Sequence, residues 1–217
     1  MGYPRWSLPV FACTAFGGAA RTMTPEVSIR IPDWLDAHLR TLDAVHPEGD
    51  ERMRLVIELS RLNVRHGTGG PFGAAVFARD SGRLLAAGVN CVETSGRSVA
   101  HAEVVAILAA QARLGTYDLG GPGRPEYELV SSAEPCAMCL GAVCWSGVRR
   151  LVCGARDEDV RRIGFDEGPK PADWTAAFEA RGIRVVRDVL RDEAVSVLRL
   201  YQAAGGVVYN ARQGSGR

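Results

Sequence analysis

His101, Glu103, Cys136 and Cys139 are the side chains whose types and spacing could do chemistry together. His101-Ala102-Glu103 sets an imidazole and a carboxylate two residues apart, and Pro135-Cys136-Ala137-Met138-Cys139 sets two thiols in C-x-x-C spacing. One imidazole and two thiolates make a three-ligand set for Zn2+. A zinc ion with three protein ligands keeps its fourth position for water, as catalytic rather than structural sites do. Two thiolates cancel the formal charge of the metal, yet zinc still brings the pKa of water down to about 7. Glu103 is then the non-ligand carboxylate that takes a proton from that water. It can return that proton to a leaving group, as general base and then general acid. The chemistry such a set supports is hydrolysis at an electrophilic carbon.

These side chains need elements that hold them. Cys136 and Cys139, three apart, share one face of a helix, and Pro135 suits its first turn, where a missing N–H costs nothing. The positive end of that helix favours thiolate, the ligand form. His101 precedes Val104, Val105, Ile107 and Leu108, whose spacing is helical, so His101 and Glu103 open a second helix. Around these, residues 51–66 read as a helix broken by Gly67–Pro71. Phe72–Ala78 and Leu84–Asn90 read as strands joined in a hairpin across Asp80-Ser81-Gly82. The helix after His101 runs to Leu114, Tyr127–Ser131 is a strand, Cys136–Ser146 a helix and Arg150–Gly154 a strand. Ile183–Val186 and the amphipathic stretch Arg191–Ala204 complete the set. Strands alternating with helices imply an α/β sheet covered on both faces.

C-x-x-C alone is shared by redox motifs and zinc knuckles. A closed structural site would need a fourth ligand, but Cys144 and Cys153 form no second C-x-x-C and read as small buried hydrophobes. Cys13 and Cys91 read as uninvolved, and His38, His46 and His66 as surface or locally hydrogen-bonded.

With 217 residues the chain can bury a full core. Its net charge of +1 creates no overall field for nucleic acid or membrane, and Lys170 is its one lysine. Residues 1–25 read as an N-terminal extension, disordered or removed by a start at Met23; the apolar run Leu8–Phe16 is too short to span a bilayer. Residues 26–212 form one catalytic domain and 213–217 a flexible tail. Thiols that must stay reduced to hold zinc place the protein in the cytoplasm.

The ordered pair H-x-E and P-C-x-x-C is the signature of zinc deaminases, and here the chain resembles the cytidine-deaminase-like superfamily of zinc hydrolases. Further residues resemble bacterial guanine deaminases: Gly69-Gly70-Pro71-Phe72-Gly73-Ala74, Gly88-Val89-Asn90, Glu134 to Ala142 with Trp145, and Gly164-Phe165-Asp166-Glu167. The resemblance covers residues 52–168 and implies a three-layer α/β/α sandwich with a mixed five-stranded sheet, one zinc per chain and a homodimer. It also implies that Asn90 hydrogen-bonds a purine, that the Ala102 backbone meets its carbonyl edge, and that Phe72 and Trp145 line the pocket. Glu167 stands where that family has an aspartate facing the ring N–H and exocyclic amine of guanine. A carboxylate, acceptor-only, matches two adjacent donors, and leaving it unpaired against a wrong base discriminates strongly. After Gly168 the chain is expected to depart from that family, with Tyr209 as a candidate lid residue.

Three functions are therefore compared. The first is a small-molecule nucleobase or nucleoside deaminase, guanine-like, with cytosine or triazine rings as alternatives. The second, a tRNA-specific adenosine deaminase, needs a basic footprint, yet Asp192-Glu193 open the last helix. The third, a zinc-stabilised binding module, has no use for Glu103.

Overall fold

A computed structural model describes residues 27–210; the expected extension and tail, 1–25 and 213–217, lie outside the described residues. In chain order the elements are α1 (Asp33–Leu39), α2 (Gly49–Arg65), β1 (Gly73–Ala78), β2 (Leu84–Val89), α3 (Val92–Ser95), α4 (Ala102–Leu114) and β3 (Tyr127–Ala133). There follow α5 (Ala137–Ser146), β4 (Arg150–Ala155), α6 (Asp157–Arg162), α7 (Trp174–Glu179), β5 (Arg184–Val186) and α8 (Arg191–Ala203). The strands form one sheet in the order β2-β1-β3-β4-β5. β1 pairs antiparallel with both β2 and β3, whereas β3–β4 and β4–β5 are parallel, so the sheet is mixed. The β1–β2 hairpin crosses residues 79–83, as its turn residues lead one to expect.

Alternation along the central strands feeds two cores. Val130 and Val152 face a cluster with Met53, Val56 and Leu59 of α2 and Val197 and Leu198 of α8. Leu129 and Leu151 point the other way, into Ala106 of α4, Leu140 and Val143 of α5 and Phe178 of α7. The result is a three-layer α/β/α sandwich. β3 is buried along its whole length, as expected of a strand covered on both faces. Full burial of each Leu, Val or Phe contributes about 1.5–3 kcal/mol. The charged exception, Glu128, is 1% exposed and accepts from Arg52 Nη1 at 2.5 Å and Arg150 Nη1 at 3.0 Å. Those two guanidiniums offset its desolvation.

Two details differ from the sequence reading. Cys136 is the N-cap of α5, so Pro135 lies just ahead of the helix rather than in its first turn. The short helices α1, α3, α6 and α7, of four to seven residues, were not anticipated. Two turns or fewer carry too little periodicity to be recognised.

Candidate active site

Two helix N-termini meet at the C-terminal end of β3. His101 is the N-cap of α4 and Cys136 the N-cap of α5, which brings Cys139 round one turn later. His101 Nδ1 lies 3.5 Å from Cys136 Sγ. The ligand atoms of His101, Cys136 and Cys139 all lie within 4.8 Å of one another. A tetrahedral zinc with bonds of about 2.0 Å to nitrogen and 2.3 Å to sulfur needs ligand separations of roughly 3.5–3.8 Å, so a small contraction suffices.

The protonation of the cluster fits such an ion. A hydrogen bond from Cys139 is the main reason the Cys136 thiol falls to about 4, against the opposing effect of burial, and His101 helps. Cys139, the donor, is pushed up by that bond and by burial. One thiolate, one thiol and one imidazole thus share a site where a divalent cation takes the place of a proton. Among the described residues no fourth metal-ligating side chain joins this group. Cys153 is buried and Cys144 half-buried elsewhere, and both are free thiols, as is Cys91, which bonds the Val89 carbonyl. His66 stacks on Trp34 and His46 packs edge-on against Phe77, away from the cluster.

A pocket of about 490 Å3 opens onto the cluster. Glu103, 7% exposed, lines it beside Cys139, and burial pushes its carboxyl above the usual range, with Cys136 adding to the rise. A carboxyl with raised affinity for protons suits a group that must accept and return them. Glu167 lines the pocket too; burial first, and then the Cys136 charge, pushes it up to about 8. Its loop is pinned from several sides. The Ala137 N–H donates to the Glu167 carbonyl at 2.9 Å, and Arg161 Nη2 donates to the Gly168 carbonyl at 3.0 Å. Asn90 also lines the pocket, its Oδ1 accepting from the Val92 N–H at 3.2 Å, so its amide hydrogens remain for a ligand. Phe72 and Phe165, with ring centroids 5.3 Å apart, form an apolar flank.

One expected wall residue is not there. Trp145 is 81% exposed and does not line the pocket. The pocket lies at the N-terminus of α5, and nine residues of helical rise carry Trp145 about 13 Å along the axis from Cys136. Ala102 is buried as the first residue of α4, between two lining residues without lining the pocket itself.

Tyr209 does reach the pocket, packing at 5.0 Å on Phe165, and its buried hydroxyl has no protein partner. Asn210, which the sequence did not single out, straps this segment down. Its Oδ1 accepts from the Asp166 N–H and its Nδ2 donates to the Gly164 carbonyl, each at 2.8 Å. Contacts across more than forty residues leave no local signal.

Comparison with known proteins agrees with this geometry. Residues 48–155 match the cytidine and deoxycytidylate deaminase zinc-binding region. Guanine deaminase of Bacillus subtilis is 40% identical over 115 residues, 53% of this chain and 69% of that protein. A structure of guanine deaminase from Nitrosomonas europaea is 50% identical, covers 84% of this chain and 100% of that one, and superposes with a TM-score of 0.79. A further structure, in complex with 2,6-diaminopurine, is 53% identical over 85% of this chain and 97% of that one, TM-score 0.79. A match over 84% of the chain reaches past Gly168, so the expected departure from guanine deaminases there does not hold for the Nitrosomonas protein; the match to the Bacillus protein spans 115 residues. The chain belongs to the cytidine and deoxycytidylate deaminase zinc-binding family and is a zinc-dependent hydrolytic deaminase.

Proposed function

We propose that this protein deaminates guanine, with His101, Cys136 and Cys139 holding zinc and Glu103 moving the protons. The observation that carries the reading is a buried carboxyl, Glu167, in the same pocket as Glu103 and the His/Cys/Cys cluster. When bound, zinc supplies Lewis acidity that brings the pKa of water from roughly 15.7 to about 7. The Glu103 carboxylate would accept the first water proton and pass it to the ring nitrogen beside the amino-bearing carbon; it would then take the second proton from the hydroxyl now on that carbon and deliver it to the amine, which departs as ammonia while the carbonyl forms. Glu167 accepts from the ring N–H and exocyclic amine, and Asn90 donates its amide hydrogens to acceptors on the ring. Phe72 and Phe165 flank the ring and exclude water, which strengthens these polar contacts. Tyr209 closes the wall.

Residues 26–212 act as the single deaminase domain. The reading extends to a homodimer: Trp145 at 81%, Leu108 at 47% and Met138 at 38% exposure are large apolar groups left open on α4 and α5. It extends also to the cytoplasm, where a thiolate site stays reduced. No helix among the described residues is long and apolar enough to cross a membrane.

Ammonia release measured across guanine, guanosine, adenosine, cytosine and a triazine amine tests the substrate. Guanine is expected to be turned over fastest. Turnover of cytosine with guanine inert would overturn the assignment of the ring while leaving the proton chemistry in place.

A further inference from the structure

Behind the pocket wall lies a hydrogen-bonded chain of three side chains, Asn63, Thr68 and Trp34, none of which lines the pocket or joins the metal cluster. Asn63, on α2, is fully buried. Its Nδ2 donates to two backbone carbonyls, Gly70 at 2.8 Å and Asn90 at 2.9 Å. Its Oδ1 accepts from Thr68 Oγ1 at 2.7 Å. Thr68 Oγ1 in turn accepts from the indole N–H of Trp34 on α1 at 2.9 Å. Every polar atom of the Asn63 amide is therefore engaged, and the order of the chain fixes which end is oxygen. The indole can only donate, so the Thr68 hydroxyl spends its hydrogen on Asn63 Oδ1, and Nδ2 faces the two carbonyls.

Those carbonyls belong to the two segments that build one wall of the base pocket. Gly69 approaches Asn90 so closely that a Cβ on it would stand 2.0 Å from the Asn90 carbonyl oxygen. Asn63 bridges the same two strands of chain from behind. The Asn90 side chain is held separately, by Val92, and lines the pocket. Where the Asn90 amide hydrogens point is thus set by a backbone whose carbonyl is tied to Asn63, and Asn63 is aimed by Thr68 and Trp34. A buried network in which each member is satisfied favours one arrangement over its neighbours.

We propose that Asn63, oriented by Thr68 and Trp34, is a positioning residue for base recognition, acting through Asn90. The proposal rests on the reading that Asn90 binds the base. It assigns α1, outside the family region at 48–155, a task in substrate binding.

A double-variant cycle tests it in the zinc-loaded full chain, with guanine as substrate. Thr68→Val keeps the shape of Thr68 and removes its hydroxyl, and Asn63→Asp keeps the acceptor and removes the two donors. Each is expected to raise KM about tenfold, the worth of one or two lost hydrogen bonds, with kcat changed less than about twofold. In an Asn90→Ala background neither is expected to raise KM further, because the group they aim is gone. A purely structural role would lower the melting temperature and act equally in both backgrounds. If Asn63→Asp does not fold, Thr68→Val carries the cycle. Additive effects of Thr68→Val and Asn90→Ala on KM would overturn the proposal while leaving Asn90 as a base contact. An Asn90→Ala variant with unchanged KM would overturn the reading of Asn90, and the proposal with it.

Discussion

The phenolic oxygen of Tyr209 fills the space that a side chain on Gly70 would need: a Cβ there would stand 2.4 Å from it. The C-terminal segment thus seats directly on the Gly69-Gly70-Pro71 loop. Gly70→Ala must push Tyr209 off the pocket wall, an overpacking cost of about 1–3 kcal/mol. We expect a fall in melting temperature of roughly 2–10 °C together with a higher KM for guanine. Adding Tyr209→Phe removes the closest atom and is expected to recover part of both. Thermal unfolding and initial rates check this, and a silent Gly70→Ala would mean that Tyr209 does not rest there.

Asp159 ties α6 to α8. It accepts from the Arg156 N–H at 3.0 Å, Arg162 Nη1 at 2.9 Å and Arg191 Nε at 2.7 Å. Arg191, first, holds its pKa down at about 2. A carboxylate with a depressed folded pKa adds stability above its unfolded value, about 3.9, and loses it as pH falls toward 2. Asp159→Asn should therefore cost about 2 kcal/mol in urea unfolding at pH 7, a gap that narrows in acid. Equal stability at pH 7 would count against this role.

Glu167 is pushed up to about 8 by burial and by the Cys136 charge. Zinc neutralises that charge, so the limb it controls falls at or below 8. Only the ionised form accepts both donors of the base, so kcat/KM for guanine should rise with pH across that limb. Glu167→Gln should abolish the limb and lower kcat/KM by about tenfold or more. A pH profile with the same limb in the variant would assign it elsewhere.

Much of the site was legible because its chemistry is local. His101 to Glu103 and Cys136 to Cys139 are spacings of two and three residues, which a helix N-terminus reads out directly. What surrounds them was less so. Trp145 was misplaced because Ala137–Ser146 is almost wholly apolar and offers no contrast between a buried and an exposed face. Asn63 looked like any polar residue on an amphipathic helix, and its partners Gly70 and Asn90 are seven and twenty-seven residues away. α1 buries only Leu35, too little for a periodic signal. The mixed five-stranded sheet was carried by resemblance and its strand order was not read at all, since strand pairing across the α4 and α5 connections leaves no trace in local pattern.

Removing the metal should expose Cys136. Its thiol, lowered to about 4 by the Cys139 hydrogen bond, is a thiolate at neutral pH and hence the nucleophilic form. After chelation, iodoacetamide is expected to label Cys136 ahead of Cys91 and Cys153, whose burial pushes their thiols up. Zinc should protect it. Peptide mass spectrometry with and without chelator decides, and labelling indifferent to zinc would place the metal elsewhere.

The most direct test of the whole account is Glu103→Gln, with metal content and ammonia release from guanine measured on one preparation. The account predicts one zinc per chain, an unchanged fold and turnover reduced by about 10²–10⁴. Turnover near that of the parent protein, or loss of the metal on this change, would contradict it.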